Sequence, residues 1–238
     1  MNKKLGIIGG MGPLASAYLY KRIIELTNAS KDQDHIPMII DNQTKILDRT
    51  SYLKGKGEDP YPSIKESAIF LEKSKVDAII IACNTAHFCY DKLIKDVSIP
   101  IYHMIDEVVE EIKNSNSLKQ GIAILATEGL RLFPSYKAKL MQAGIESYEV
   151  NEEEQIIVSE VIYLIKETGI TKEVLNKFDK LIKDLEAKGL KHFILGCTEL
   201  AALEEHLIEK EKYINSIDIL AKHTIKKLGY PLKGEKHD

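Results

Sequence analysis

The stretch Ile79-Ile80-Ile81-Ala82-Cys83-Asn84-Thr85-Ala86-His87 has a counterpart of the same local pattern at Phe193-Ile194-Leu195-Gly196-Cys197-Thr198-Glu199-Leu200. Each is an apolar run that ends in a small residue and a cysteine, followed by a polar, hydroxyl-bearing pair and a helix-compatible segment. A continuous aliphatic run without polar alternation predicts a strand covered on both faces, as in a parallel sheet. A thiol at a strand-to-helix turn sits near helix amide donors, which favour its thiolate form. One such cysteine is equally well read as a small buried hydrophobe. Two in the same setting point to two acid/base groups facing one substrate.

Outward from these runs, short β-rich segments alternate with longer helical patterns. Strands are expected at residues 5–8, 38–41, 78–82, 99–103, 121–126, 147–150 and 192–195. Helices are expected at 13–27, 63–73, 133–143, 152–167, 171–188 and 216–228. Pro13 suits a first helical turn, where its missing N–H has no intrahelical partner. The alternation predicts an α/β fold of parallel strands flanked by helices. The paired cysteine strands suggest two lobes, residues 1–100 and 101–209, with 210–238 returning to the first. Open α/β sheets bind ligands beyond the C-terminal ends of their strands. Both cysteines fall there, as does the Gly9-Gly10-Met11-Gly12 turn. Residues 55–60 read as an exposed loop, and the tail after Pro231 as frayed.

The 238 residues are 44% hydrophobic and 29% charged, ordinary for a globular protein. A net charge of −3 gives no broad attraction to nucleic acid or to an anionic membrane, so neither is an expected partner. Three cysteines, an odd number, argue against a disulfide framework and for a cytoplasmic, reducing location. The apolar run at 5–10 is short and glycine-broken, and it reads as a first strand and turn rather than a signal peptide.

The residues around the two thiols have two readings each. Asn84, Thr85, Thr198 and Glu199 suit helix N-caps, and they equally offer amide and hydroxyl groups to a substrate carboxylate. The negative charge of Glu199 suits an ammonium better than a carboxylate. Arg49 presents a guanidinium fitted to a carboxylate, or makes a surface pair with Asp48. Cys83, His87 and Cys89 do not have the spacing of a familiar zinc site, so no metal is expected. The glycine turn fits neither the dinucleotide fingerprint nor a P-loop. His103, at a strand end, either lines the pocket or caps the sheet.

Taken together, Gly9-Gly10-Met11-Gly12-Pro13, Asp48-Arg49-Thr50, Ala82-Cys83-Asn84-Thr85-Ala86-His87, Leu125-Ala126-Thr127-Glu128-Gly129 and Gly196-Cys197-Thr198-Glu199-Leu200 resemble the cofactor-independent aspartate/glutamate racemases, in particular the aspartate racemase branch. The resemblance implies two pseudo-symmetric α/β lobes with the active site in the cleft between them, commonly in a homodimer. It implies that Cys83 and Cys197 are catalytic thiols and that no cofactor is used. Asn84, Thr85, Thr127 and Thr198 match positions that hold the α-carboxylate and amino group. Met11 matches the backbone-binding turn, and Arg49 the position that binds the side-chain carboxylate of an acidic amino acid. Some aspartate racemases add a lysine on the helix after the sixth strand. Lys166 is the candidate here, with Glu167 the alternative register. Leu130 replaces a threonine found in many members, and Leu47 replaces a proline.

The expected activity is interconversion of L- and D-aspartate by proton transfer at Cα. Glutamate or broad-specificity racemisation is the nearest alternative. A maleate-isomerase-like enzyme would use one cysteine as a covalent nucleophile, and an arylmalonate-type decarboxylase needs one thiol. A dicarboxylate-binding module would need the anion-binding groups but not both thiols.

Overall fold

A computed structural model of the chain describes residues 3–234 apart from 116, 119 and 134. The first half carries β1 (Leu5–Gly9), α1 (Pro13–Leu26), β2 (Met38–Asn42), α2 (Arg49–Leu53), α3 (Tyr61–Lys73), β3 (Ala78–Ile81), α4 (Tyr90–Leu93), β4 (Ile101–Tyr102) and α5 (Met104–Asn114). The second half carries β5 (Ile122–Ala126), α6 (Glu128–Leu132), α7 (Ser135–Gln142), β6 (Ser147–Glu149), α8 (Glu152–Thr168), α9 (Lys172–Glu186), β7 (His192–Gly196), α10 (Thr198–Ala202), β8 (Tyr213–Asn215) and α11 (Ser216–Leu228).

The strands form two four-stranded sheets of the same order, β2-β1-β3-β4 and β6-β5-β7-β8, and every pairing within them is parallel. The aliphatic runs occupy the interior strands. All residues of β1, β3 and β5 are buried, while the edge strand β2 is half-exposed. Helices cover both faces, as parallel connections require. One large apolar cluster joins Leu5, Ile7 and Ile80 of the first sheet to Leu125, Phe193 and Leu195 of the second. α5 turns Ile105, Val108 and Ile112 toward Ile122 and Ile194 of the second sheet. The two lobes therefore share a continuous core, and the cleft between their sheets has packed walls.

Helix entry is set by side-chain caps. Asp48 accepts from the Ser51 N–H at the start of α2, Thr127 from Leu130 at α6, and Thr171 from Val174 at α9. Asn151 and Glu154 form a reciprocal capping box on α8. His103 caps α5 by accepting from the Asp106 N–H, which decides between the two readings of that residue.

The sequence expectations differ from the structure in a few places. The strand expected at 99–103 shortens to Ile101–Tyr102: Ser98 is tied to Glu72, and His103 has already begun α5. The first sheet thus runs past the expected boundary at residue 100, because β4 pairs with β3. Residues 210–238 do not return as one piece. β8 pairs with β7 and completes the second sheet, whereas α11 packs on α1 and α5. The helix expected at 133–143 is α7, Ser135–Gln142, and a short helix that was not expected, α6 at Glu128–Leu132, precedes it; Pro134 lies outside the described residues. Residues 55–59 are exposed as expected, and Pro60 is buried. Of the tail expected to fray, 235–238 lie outside the described residues.

Candidate active site

Each of the four interior strands ends at one cavity. β1 leads to Met11, β3 to Cys83, β5 to Thr127 and β7 to Cys197. All four residues line a cavity of about 660 Å³, its open mouth included. This is the C-terminal edge of both sheets, where helix starts and loops leave backbone donors free. The other expected site residues, Arg49, Asn84, Thr85, Lys166, Thr198 and Glu199, line the same cavity. Residues up to 188 positions apart in sequence, Met11 and Glu199, are brought together there.

The glycine turn is shaped by a tight approach. Gly10 has φ of +87°, and a Cβ on it would lie 2.4 Å from the Gln43 carbonyl carbon. The Gly10 N–H donates to Ser16 Oγ, which in turn donates to the Gly12 carbonyl. This bracing fixes Met11, whose carbonyl accepts from Arg49 Nη2 at 3.4 Å. Arg49 Nη1 donates to the carbonyls of Leu47 and Ile46. Its Nε is buried and has no partner. The guanidinium is thus held by backbone oxygens, and no salt bridge joins it to Asp48, which instead caps α2.

Cys83 and Asn84 are anchored from behind. His87, 1% exposed, uses Nδ1 against the Cys83 carbonyl at 2.9 Å, while Nε2 accepts the Met104 N–H at 3.1 Å. Those two bonds assign the neutral tautomer with the proton on Nδ1. Burial lowers the His87 pKa to about 4, which keeps it neutral. Asn84 bridges the lobes. Its Oδ1 accepts from Tyr136 OH at 2.8 Å and its Nδ2 donates to Ser216 Oγ at 3.1 Å; Ser216 Oγ donates onward to the Leu195 carbonyl. The Asn84 side chain therefore serves the lobe interface. Cys89 is buried beside the Cys83 turn and donates to the Ala86 carbonyl.

Three contacts cross the cleft mouth. Thr85 and Thr127 hydroxyls meet at 2.8 Å, Lys54 pairs with Glu128 at 2.6 Å, and Gly129 packs on Thr50. On the second lobe, Cys197 Sγ donates to Glu199 Oε2 at 2.9 Å, and Thr198 Oγ1 donates to the same oxygen at 3.2 Å. Lys166 Nζ stands 3.6 Å from Glu199 Oε1. Burial opposes the charge on Lys166, but negative charge in the site, Glu199 first, outweighs it and holds the ammonium above its usual range. The register left open by the sequence is thereby decided: Lys166 faces the cavity, and Glu167 faces a neighbouring groove.

The expectation that both turns favour a thiolate fails at Cys197. Burial first, then the Glu199 charge and hydrogen bond, push this thiol well above its usual range. The five-residue α10 is too short for its amide donors to outweigh a carboxylate at 2.9 Å. Sequence reasoning also passed over Ser159, Ile162 and Tyr163, which line the cavity with Lys166. Their spacing, 159, 162, 163 and 166, is one face of a helix, and that signal was available. Tyr136 and Ser216 carry no comparable local signal.

A two-lobe α/β protein with paired thiols, hydroxyls and two cationic side chains around a small cleft is the class that this geometry defines. Over residues 8–224 the chain matches the Asp/Glu/Hydantoin racemase family. The Picrophilus torridus aspartate racemase structure superposes with a TM-score of 0.85 at 28% identity, covering 97% of this chain and 96% of that one. The broad specificity amino-acid racemase RacX of Bacillus subtilis (strain 168) is 27% identical over 231 residues, 93% of this chain and 96% of the relative. A glutamate racemase of Aquifex aeolicus is 28% identical over 156 residues, 65% of this chain and 58% of the relative. The chain belongs to the Asp/Glu/Hydantoin racemase family.

Proposed function

We propose that the protein is a cofactor-independent racemase that interconverts L- and D-aspartate, with Cys83 and Cys197 as the two acid/base groups. The observation that carries this reading is the convergence of both thiols, from equivalent strands of the two sheets, on one cavity that also holds Arg49 and Lys166.

Inversion at Cα needs a base on one face and an acid on the other. A thiol suits both roles, since its ordinary pKa lies close to neutral. The carbanion formed next to a carboxylate needs donors placed before the reaction. The hydroxyls of Thr85, Thr127 and Thr198 and the N–H groups of the two turns supply them. Arg49, with its unpartnered buried Nε, and Lys166 receive the side-chain carboxylate and select acidic substrates. The substrate ammonium is placed against Glu199.

Glutamate or broader specificity is the nearest variant of this reading, supported by the relatives from Aquifex aeolicus and Bacillus subtilis. A cytoplasmic location accords with three free cysteines. Among the described residues, no helix is long and apolar enough to cross a membrane.

The test is proton NMR of L- and D-aspartate, and of L- and D-glutamate, in deuterated water with purified protein and no added cofactor. The expected result is loss of the α-proton signal of aspartate from both enantiomers, with formation of the opposite one. Tight dicarboxylate binding without α-proton exchange would overturn the racemase reading. A covalent adduct on Cys83 or Cys197, trapped by mass spectrometry, would move it to isomerase chemistry.

A further inference from the structure

The two thiols sit in equivalent places but have unlike neighbours. Two positions beyond Cys83 stands Thr85, whose hydroxyl meets Thr127 across the cleft. Two positions beyond Cys197 stands Glu199, whose Oε2 accepts the Cys197 Sγ–H at 2.9 Å. Cys197, Thr198 and Glu199 are all at least nine-tenths buried, so little water screens the pair. Thr198 Oγ1 donates to that same Oε2 and fixes its direction. Gly12 lies against the other oxygen, where a Cβ would come within 3.5 Å of Oε1. The carboxylate is therefore directed by Thr198 at Oε2 and by the Lys166 ammonium 3.6 Å from Oε1.

We propose that Glu199 keeps Cys197 protonated in the ligand-free enzyme, so that Cys197 enters the reaction as the acid and Cys83 as the base. This rests on the racemase reading given above and assigns its two roles.

The charges facing the pair come from every surrounding element. Lys166 of α8 is 3.6 Å from Glu199 Oε1, while Asp48 and Arg49 at the start of α2, Glu128 of α6 and Cys83 line the same cavity. Ionising Cys197 would put a second negative charge 2.9 Å from Oε2, with Lys166 at the opposite oxygen. Cys83 has no carboxylate among its hydrogen-bond partners. In the forward step, the Cys83 sulfur takes the α-proton as a new S–H bond, and the C–H electron pair stays on the substrate. The Cys197 S–H bond breaks and its proton goes to the opposite face of Cα, leaving the electron pair on sulfur. The enzyme then holds a Cys197 thiolate beside Glu199. It returns to rest when Cys83 loses its proton to water and Cys197 gains one from water. The equilibrium constant between enantiomers is one, so kcat/KM must be equal in both directions. The asymmetry appears in kcat and KM separately.

The experiment is residue-resolved alkylation by iodoacetamide as a function of pH, read by peptide mass spectrometry on the full chain. In Glu199→Gln, which keeps size and can donate to a thiolate, the Cys197 profile is expected to move down by at least one pH unit. Labelling at pH 7.5 then rises about tenfold, while the Cys83 profile moves by less than twofold in rate. Coincident Cys197 profiles in wild type and variant would overturn the proposal. Should Glu199→Gln fail to fold by circular dichroism, α-proton exchange in deuterated water decides. Cys197→Ala, which retains the resting base, is expected to exchange one enantiomer at least tenfold faster than Cys83→Ala exchanges the other. Equal rates in the two variants would refute it. Alkylation does not depend on turnover, so a wild-type protein without any α-proton exchange removes the racemase reading and leaves the Glu199–Cys197 pairing to the labelling result.

Discussion

Arg49→Lys is the most discriminating change at the site. The guanidinium is 9% exposed and tethered through Nη1 and Nη2 to the carbonyls of Leu47, Ile46 and Met11. Its Nε has no partner. A lysine preserves the positive charge but lacks the planar fork. On the proposed reading, the variant loses a charge-assisted hydrogen bond to the distal carboxylate, worth about 1.5–3 kcal/mol. That converts to a loss of roughly 10- to 150-fold in kcat/KM for aspartate. The same factor must appear for L- and D-aspartate, since they interconvert with an equilibrium constant of one. L-Alanine has no distal carboxylate, so as a substrate or competitive inhibitor it should change by less than about threefold on the same argument. Initial rates followed by chiral chromatography, with a thermal melt to confirm folding, provide the measurement. Aspartate kinetics within threefold of wild type, or an equal fall for alanine, would refute the assignment of Arg49 to the distal carboxylate.

Other perturbations probe the scaffold around the cavity. Gly129→Ala sets a Cβ 2.7 Å from Thr50 Oγ1 and 2.9 Å from Thr50 Cα. It should push α6 from α2, destabilise by about 1–3 kcal/mol and raise the aspartate KM; an unchanged melt and KM would show that this contact yields freely. Tyr136→Phe leaves buried Asn84 Oδ1 without its donor, at about 1–3 kcal/mol, and the midpoint should fall by about 2–4 °C per kcal/mol. An unaltered melting temperature would count against the bridging role of Asn84. His87 has a folded pKa of about 4, below its ordinary value of 6.5 in the unfolded chain. The unfolded state thus binds the proton first, so His87 contributes stability above pH 6.5 that is lost as pH falls toward 4, on the order of 3 kcal/mol. Denaturant titrations should show that decline flattened in His87→Gln, and an identical slope in the variant would exclude His87 as its source.

The parts of the fold legible in the sequence were those with a strong local pattern. The aliphatic runs that became β1, β3, β5 and β7 needed no distant partner to be recognised, since burial on both faces leaves them continuous. The cysteine turns, Arg49 and Thr127 lie at or just beyond strand ends, so an α/β reading already places them on one edge. The three-residue β8 had no such pattern; it exists because its backbone pairs with β7 and because Asn215 caps α11. The direction of Lys166 depended on how α8 rotates against the second sheet, which periodicity leaves open to within one residue. The protonation of Cys197 was beyond reach for a related reason. Glu199 is two residues away in sequence, and only the folded turn aims its carboxylate back at the sulfur.

The repetition of strand order in the two sheets bears on handedness. Both lobes are made of the same L-amino acids, and no element of the polypeptide mirrors another, yet enantiomers differ by reflection. A duplicated architecture resolves this by setting like atoms before and behind a ligand, so that left and right forms meet comparable chemistry from opposite sides. What remains unlike includes the dipeptides Asn84-Thr85 and Thr198-Glu199, with Arg49 in one lobe and Lys166 in the other. On the proposed reading, any preference for one hand over the other rests on these few side chains beyond the strand ends rather than on the sheets that carry them.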